Sequence, residues 1–330
     1  MNGFKSILKK IFKAEYSLFF LILAAMIVLG CITPAFFSFF NLMNVLKNAS
    51  YMALMVVGLS WVIGAGEIDN SFPDVAACAS MVFAYVAVNT GMVWLAFIAA
   101  ILSGLVCGAL TSLFVVRFKY HSLITTIAVS TIAKSVAAAL NGGMPLSTPV
   151  IKSSWFYRFI NADLLGIPVI FLIVLVVYAV LFVIQEKTRF GHYIYALGGN
   201  RQAVSESGVK SWKVLTIVFL TSALFASLAG IIMVFGVYGS GQPKMGSSFF
   251  LDGFTTVFLG AMAIKLGKTN VIGTFLGAIM LAMIVNGLTL MGSSFATSQI
   301  VKGVLLVVGI VMVAFAQKQR RGKIGVLRYE

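Results

Sequence analysis

Ten apolar runs constrain the fold of this chain of 330 residues more than any other feature. A helix needs about 20 mostly apolar residues to cross the hydrocarbon core of a bilayer. The runs at 50–64 and 249–264 are shorter, and we expect broken or tilted segments there. The pattern predicts an all-α, polytopic membrane helix bundle of about ten transmembrane helices. The runs lie at 16–33, 50–64, 74–90, 92–116, 122–140, 166–185, 213–238, 249–264, 271–291 and 298–316.

The composition excludes a soluble fold. The chain is 60% hydrophobic and 10% charged, whereas a soluble domain has about 25% charged and 45–50% apolar residues. The formal net charge of +15 is that of a membrane protein with basic cytoplasmic loops, so we expect no nucleic-acid partner. The three cysteines and two histidines are scattered without metal-ligand spacing, and we expect no metal site and no catalytic residues.

The basic residues indicate the orientation of the spans. With the N-terminus inside and ten passes, 18 of the 24 Lys and Arg residues lie on the cytoplasmic side and four on the other. This bias predicts that both termini are cytoplasmic. We divide the chain into a cytoplasmic amphipathic segment (1–15), a transmembrane domain (16–316) with its longest cytoplasmic loop at 186–212, and a basic cytoplasmic tail (317–330).

Three carboxylates between two apolar runs mark the first candidate site. Glu67, Asp69 and Asp74 lie within eight residues, and each charge would cost about 2.5–3.5 kcal/mol at the bilayer centre. The stretch therefore lines a wet pathway or forms a solvated cytoplasmic turn. Lys134 in the middle of a run needs an acidic partner or water. Further polar groups in the runs complete the candidate pathway, which comprises Glu67, Asp69, Asn70, Ser71, Phe72, Asn141 and Asn286.

Two of these side chains have specific interpretations. Phe72 would stack on the face of a sugar ring. For Asn286, a hydrogen bond between helices is an equal alternative.

The second candidate site lies in the long cytoplasmic loop. Gly198-Gly199-Asn200 is a turn signal and Asn200 a good N-cap, so residues 201–207 can form about two helical turns that end at Gly208. A short helix there would suit a docking partner. Taken alone, the same residues also fit an ordinary ordered loop.

Residues 188–209 resemble the signature of the permease subunits of ribose-type ABC importers, in order and spacing. The similarity extends over roughly 38–316. Glu67 stands where that family usually has glycine, and His192 where it has arginine. Weaker similarities lie at 40–46, 64–74, 273–278, 286–288 and 299–303.

The resemblance implies a multi-pass permease of the bacterial inner membrane that is not an enzyme and needs no cofactor of its own. ATP would be used by two cytoplasmic ATP-binding subunits, which grip the short helix. A second permease copy or paralogue and an extracytoplasmic solute-binding protein would complete the importer. The coupling residues would be Gly198, Gly199, Asn200, Ala203, Glu206, Ser207 and Gly208.

The expected function is import of a small polar solute by alternating access, with a monosaccharide or sugar derivative as the solute. Carboxylates and amides suit sugar hydroxyls. An importer of the same family for a nucleoside or an amino acid is the first alternative, which Lys134 keeps open. An ion-coupled secondary transporter that uses the acids at 67–74 is the second, and a membrane scaffold is the third.

Overall fold

The structure, a computed structural model, describes residues 17–147 and 149–326. The predicted segment 1–15 lies outside these residues. The long helices are separated by short turns, and the helices, in chain order, are α1 (Ser17–Ile32), α2 (Phe39–Gly64), α3 (Phe72–Thr90), α4 (Val93–Ser112), α5 (Ser122–Ala139), α6 (Pro149–Ser153), α7 (Trp155–Ile160), α8 (Val169–Lys187), α9 (Arg189–Gly199), α10 (Arg201–Glu206), α11 (Ser211–Met233), α12 (Met245–Gly260), α13 (Val271–Leu290) and α14 (Phe295–Val326). Short π-helical segments, Leu113–Arg117 and Val234–Tyr238, extend α4 and α11.

Within the described residues, eight helices are long and apolar enough to cross a membrane. They are α2, α3, α4, α5, α8, α11, α13 and α14, each with its π-helical extension where present. All eight coincide with predicted runs, which confirms a polytopic helix bundle. The two remaining runs correspond to α1 and α12, which have 16 residues each.

The run at 50–64 is not a short or broken segment, so that prediction is wrong. It is the second half of α2, a continuous helix of 26 residues. Asn41, Asn44 and Lys47 interrupt the apolar pattern without interrupting the helix, because polar residues are compatible with helical backbone when they find partners or solvent.

The C-terminal helix is also longer than predicted. It runs to Val326 over 32 residues, whereas the last apolar run ends at 316. Residues 317–326, the described part of the predicted basic tail, are thus helical and follow the candidate span Phe295–Ala316, and residues 327–330 lie outside the described part.

The described residues divide into two compact units, one formed by the residues up to 49 together with those from 254 onward and the other by the residues between 50 and 253. In the second unit, α3, α4, α5 and α11 pack together. Glycines allow α4 and α11 to approach closely, because a Cβ at Gly104 would collide with the Ser227 hydroxyl and one at Gly108 with Ala223. Gly104 and Gly108 form a GxxxG pair, a spacing that lets two helix backbones approach closely.

In the first unit, α1 packs on α13 around a buried cluster that includes Leu18, Phe36 and Met280. Gly273 and Gly277 form a second GxxxG pair, which also allows two helices to approach closely. A Cβ at Gly273 would collide with the Gly260 carbonyl, and one at Gly277 with the Thr256 carbonyl.

The long segment between α5 and α8 is partly structured. It holds the short helices α6 and α7 and a two-residue antiparallel hairpin, β1 (Asp163–Leu164) and β2 (Ile167–Pro168). Trp155 is exposed and stacks on Phe159 with a 4.8 Å centroid separation.

Candidate functional site

The irregular segment between α2 and α3, residues 65–71, is folded into the second unit around Asp69. The Asp69 carboxylate is 3% exposed. It accepts hydrogen bonds from the Ser71 backbone amide (2.8 Å), the Ser71 hydroxyl (2.6 Å) and the Ser222 hydroxyl of α11 (2.7 Å). Non-helical backbone at membrane depth is tolerated only against protein or water. Asp69 is thus tied to protein and is not a solvated acid.

The backbone of the same segment also finds partners. The amide of Glu67 donates to the Val62 carbonyl (3.1 Å), and that of Ile68 to the Ser122 hydroxyl at the start of α5 (3.2 Å). Gly66 has φ +83°, a conformation that favours glycine. These contacts fix the segment to the ends of α2 and α5.

Glu67 takes part in an ion pair with the long loop. Its Oε1 lies 2.7 Å from Nη1 of Arg201, the first residue of α10. The Glu67 side chain is 12% exposed and that of Arg201 52%. The structure therefore brings the two candidate sites together at one end of this unit.

Asp74 anchors the other side of the segment. It lies in the first turn of α3, and its carboxylate accepts a hydrogen bond from the Ser130 hydroxyl of α5. Gly246 leaves room for the Asp74 carboxylate, since a Cβ at 246 would collide with it. The sequence singled out the three acids but not Arg201, Ser130 or Ser222, because these partners lie far away along the chain.

The other predicted pathway residues of this segment differ in exposure. Asn70 is half-buried and Ser71 is buried. Phe72 is completely buried, and its ring lies where a Cβ on Gly253 would be. In this conformation Phe72 therefore offers no free face for a sugar ring, contrary to the expectation.

The two asparagines predicted inside spans have different surroundings. Asn141 lies beyond the end of α5 at Ala139, and its amide donates to the carbonyls of Met144 (3.2 Å) and Pro145 (3.0 Å). Its predicted place inside a span is wrong. Asn286 and Asn41 exchange two amide hydrogen bonds of 2.9 Å each, so the alternative of a hydrogen bond between helices is confirmed.

Lys134 lies on an exposed face of α5 in the single chain. Among the described residues no carboxylate lies within ion-pairing distance of its ammonium group. It follows Ser130 by one helical turn and therefore shares its face.

The long loop folds into two short helices, of which α10 matches the helix predicted at 201–207, whereas α9 was not predicted and includes Gly198 and Gly199 of the expected turn. Asn200 Oδ1 accepts a hydrogen bond from the Ala203 amide (3.1 Å) and caps α10. After Glu206 the chain turns at Gly208, whose φ is +80°. The Gln202 amide donates to Glu206 within the helix (3.0 Å).

Helix α10 presents most of its surface to solvent in this unit. Val204 is 8% exposed and holds the helix against the unit, whereas its neighbours in α10 are exposed. The predicted coupling residues are all exposed, namely Gly198, Gly199, Asn200, Ala203, Glu206, Ser207 and Gly208.

Gly198 is a packing residue. A Cβ there would collide with the Gly64 carbonyl at the end of α2. On the same side, the rings of Trp61 and Phe190 meet edge to face at 5.5 Å. Burial of the Tyr195 side chain, which belongs to α9, and secondarily the charge of Glu186 raise the pKa of the Tyr195 hydroxyl, so it remains a neutral phenol.

Known proteins similar to this chain are permeases. A family model described as "Branched-chain amino acid transport system / permease component" matches residues 41–310. The ribose import permease protein RbsC of Escherichia coli K12 is 32% identical over 88% of this chain and 91% of its own length. RbsC of Haemophilus influenzae is 30% identical over 91% and 93%. The L-arabinose transport system permease protein AraH of E. coli K12 is 25% identical over 91% of both chains.

A solved structure has the same fold. A chain of an inward-facing metal-chelate type ABC transporter superposes with a TM-score of 0.50 at 15% identity, covering 96% of this chain and 98% of its own. The spans and these relatives indicate a multi-pass protein of the bacterial inner membrane. The chain belongs to the family of membrane permease subunits of ABC importers that includes the ribose permeases.

Proposed function

We propose that this permease imports a monosaccharide or a sugar derivative and that α10 is the element through which ATP-binding subunits drive it. The docking role of α10 is supported by its exposure. The helix is capped at its N-terminus, and Val204 is its one buried side chain. A helix whose surface is left open in the single chain is available to a partner.

Permeases of this family work with ATP-binding subunits and a solute-binding protein, and they are not themselves enzymes. We propose two ATP-binding subunits, a second permease copy or paralogue, and no cofactor on the permease itself. Closure of the ATP-binding subunits would pull the two α10 helices together and switch the permeases between inward-facing and outward-facing states. This is alternating access through a two-state interface.

For the topology, we propose ten spans with both termini in the cytoplasm. Helices α1 and α12, of 16 residues each, would be the two short spans added to the eight long ones. The bias of basic residues supports this arrangement, and it puts α9 and α10 on the cytoplasmic side.

The sugar assignment draws on the relatives, which include permeases for ribose and L-arabinose. An amino acid is the second candidate, because the family model is described by branched-chain amino acid transport. A zwitterion would need opposite charges together in the pathway, which Lys134 and Asp74 would supply on α5 and α3.

We place the solute pathway along the exposed face of α5 that carries Lys134 and Ser130. A charged side chain within a span is unfavourable against lipid by about 2.5–3.5 kcal/mol, so this face suits water or a second permease copy. Of the pathway residues predicted from the sequence, Glu67 and Asn70 would then lie at the cytoplasmic mouth of the solute pathway. Asp69 and Asn286 are already bonded to protein groups.

Competition uptake decides between the two solute classes. Proteoliposomes with the complete importer receive either a radiolabelled pentose or radiolabelled leucine, each with and without a hundredfold excess of unlabelled ribose, arabinose or leucine. We expect uptake of the pentose, suppressed by both sugars and not by leucine, and no uptake of leucine above background. Uptake of leucine that only unlabelled leucine suppresses, without uptake of the pentose, would replace the sugar proposal with the amino-acid one.

A further inference from the structure

The contact between Glu67 and Arg201 joins the end of a long membrane helix to the first residue of α10. The two side chains meet at 2.7 Å, and they are separated by 134 residues in the sequence. Ionised hydrogen bonds of this kind are stronger than neutral ones. The pair is therefore a candidate for a mechanical connection between two elements.

The carboxylate end of this connection is rigid. The Glu67 amide is bonded to the Val62 carbonyl (3.1 Å) and the Gly66 amide to the Ile63 carbonyl (3.0 Å). Both acceptors lie in the last turn of α2, so the Glu67 backbone is bonded to the end of that helix and moves with it.

The other side chain of the ion pair, Arg201, moves with α10 and not with α9. Helix α9 has its own contacts with α2, where Gly198 meets the Gly64 carbonyl and Phe190 meets Trp61. Beyond Asn200 the chain changes direction, since the backbone of Asn200 is extended. Val204 is the buried side chain of α10. The Gln202 amide donates to the Glu206 carboxylate within the same helix, so this bond does not connect α10 to another element.

We infer that Glu67 is a positioning residue that, through Arg201, fixes the orientation of α10 on α2 and transmits displacement of α10 to the membrane helices. The inference rests on the proposed docking role of α10. When a partner pulls on α10, the ion pair carries the motion directly to α2 and, through the bonded segment 65–71, to α3. Without the pair, α10 turns about Asn200 and the motion is lost.

The burial of the carboxylate separates this pair from an ordinary surface ion pair. Fully exposed ion pairs contribute little to the stability of a protein, but the Glu67 side chain is only 12% exposed. Loss of the Arg201 side chain would leave a largely enclosed carboxylate without its partner. An unpaired buried charge is destabilising, so the local structure around Glu67 would rearrange. The orientation of α10 would then change.

The test uses the complete importer in proteoliposomes and measures solute transported per ATP hydrolysed. Glu67→Gln and Arg201→Gln should each lower this ratio about fivefold, equivalent to about 1 kcal/mol at 1.4 kcal/mol per tenfold change. The exchanged double variant, Glu67→Arg with Arg201→Glu, should recover the ratio to within about twofold of the wild type. Lys210→Gln is the matched control, since Lys210 is an exposed base nearby.

Retention of the ATP-binding subunit on the purified permease is measured in parallel. A bound subunit with a reduced ratio in the single variants and a recovered ratio in the exchange supports the inference. A bound subunit with an unchanged ratio overturns it, as does an exchange variant no better than the single variants. If deletion of 201–206 leaves subunit retention unchanged, the docking role of α10 fails instead, which is a distinct result.

Discussion

Asp69 and Ser222 meet at 2.7 Å although 153 residues separate them in the sequence. The bond joins the segment 65–71 to the middle of α11, where the carboxylate is 3% exposed. Because Ser71 contributes two further hydrogen bonds, the acid organises the entry to α3 from inside the protein.

Asp69→Ala should therefore reduce stability. The substitution leaves the Ser222 hydroxyl and the Ser71 amide without their acceptor, and an unsatisfied buried polar group costs about 1–3 kcal/mol. Thermal unfolding in detergent measures the effect. Ser222→Ala should cost less, and the double variant should cost less than the sum of the two. Additive losses would contradict the direct bond.

The amide pair of Asn41 and Asn286 should support folding and not solute binding. Hydrogen bonds between membrane helices contribute about 0.6–2 kcal/mol. Asn286→Leu should thus lower the melting temperature and leave the KM of uptake unchanged. Replacement of both residues by leucine should recover part of the lost stability, because no amide is then left unpaired. A raised KM at unchanged stability would instead assign Asn286 to the pathway.

The N-cap of α10 should control the affinity of the ATP-binding subunit. Asn200→Ala removes the acceptor of the Ala203 amide and should cost about 1 kcal/mol of helix stability. Binding of the subunit to the permease in nanodiscs should weaken accordingly. Asn200→Asp keeps a capping oxygen and serves as the control, with affinity near that of the wild type. Equal weakening in both variants would exclude capping as the cause.

Neighbouring glycines allow a matched test of how the loop packs. A methyl group at Gly198 would collide with the Gly64 carbonyl, whereas nothing lies within 4 Å of a Cβ at Gly199. Gly198→Ala should lower the melting temperature and displace α9 from α2. Gly199→Ala should melt like the wild type. Similar melting of the two variants would show that α9 does not rest on Gly64.

Lys134 provides a direct test of the proposed pathway. In a background where Cys31, Cys78 and Cys107 are alanine, Lys134→Cys should react with a charged, water-borne thiol reagent. Ile132→Cys, on an exposed apolar position of the same helix, should react much more slowly. Slow reaction at both positions would place Lys134 against lipid or protein and remove it from the pathway.

Much of this architecture can be predicted from local patterns. The apolar runs indicated the spans, and the turn at 198–200 with the N-cap and Gly208 indicated α10, because these features depend on neighbouring residues. The start of α2 was missed because Asn41 finds its partner in Asn286, and an apolar pattern does not contain that partner.

The roles of the acids were harder to predict for the same reason. Glu67, Asp69 and Asp74 stand together in the sequence, which suggested one wet site. In the structure each has a different distant partner, namely Arg201, Ser222 and Ser130. Local charge density showed that the segment cannot face lipid, but only the tertiary fold determines whether water or protein covers each carboxylate.

Energy coupling is the central claim, and uptake by the reconstituted importer tests it most directly. Proteoliposomes that contain the permease, its ATP-binding subunits and the binding protein receive a radiolabelled sugar, first with Mg-ATP on the side of the ATP-binding subunits and no ion gradient, then with a proton gradient and no ATP. We predict rapid uptake in the first case and none above background in the second. Uptake driven by the proton gradient alone would contradict an ATP-driven permease and favour an ion-coupled transporter.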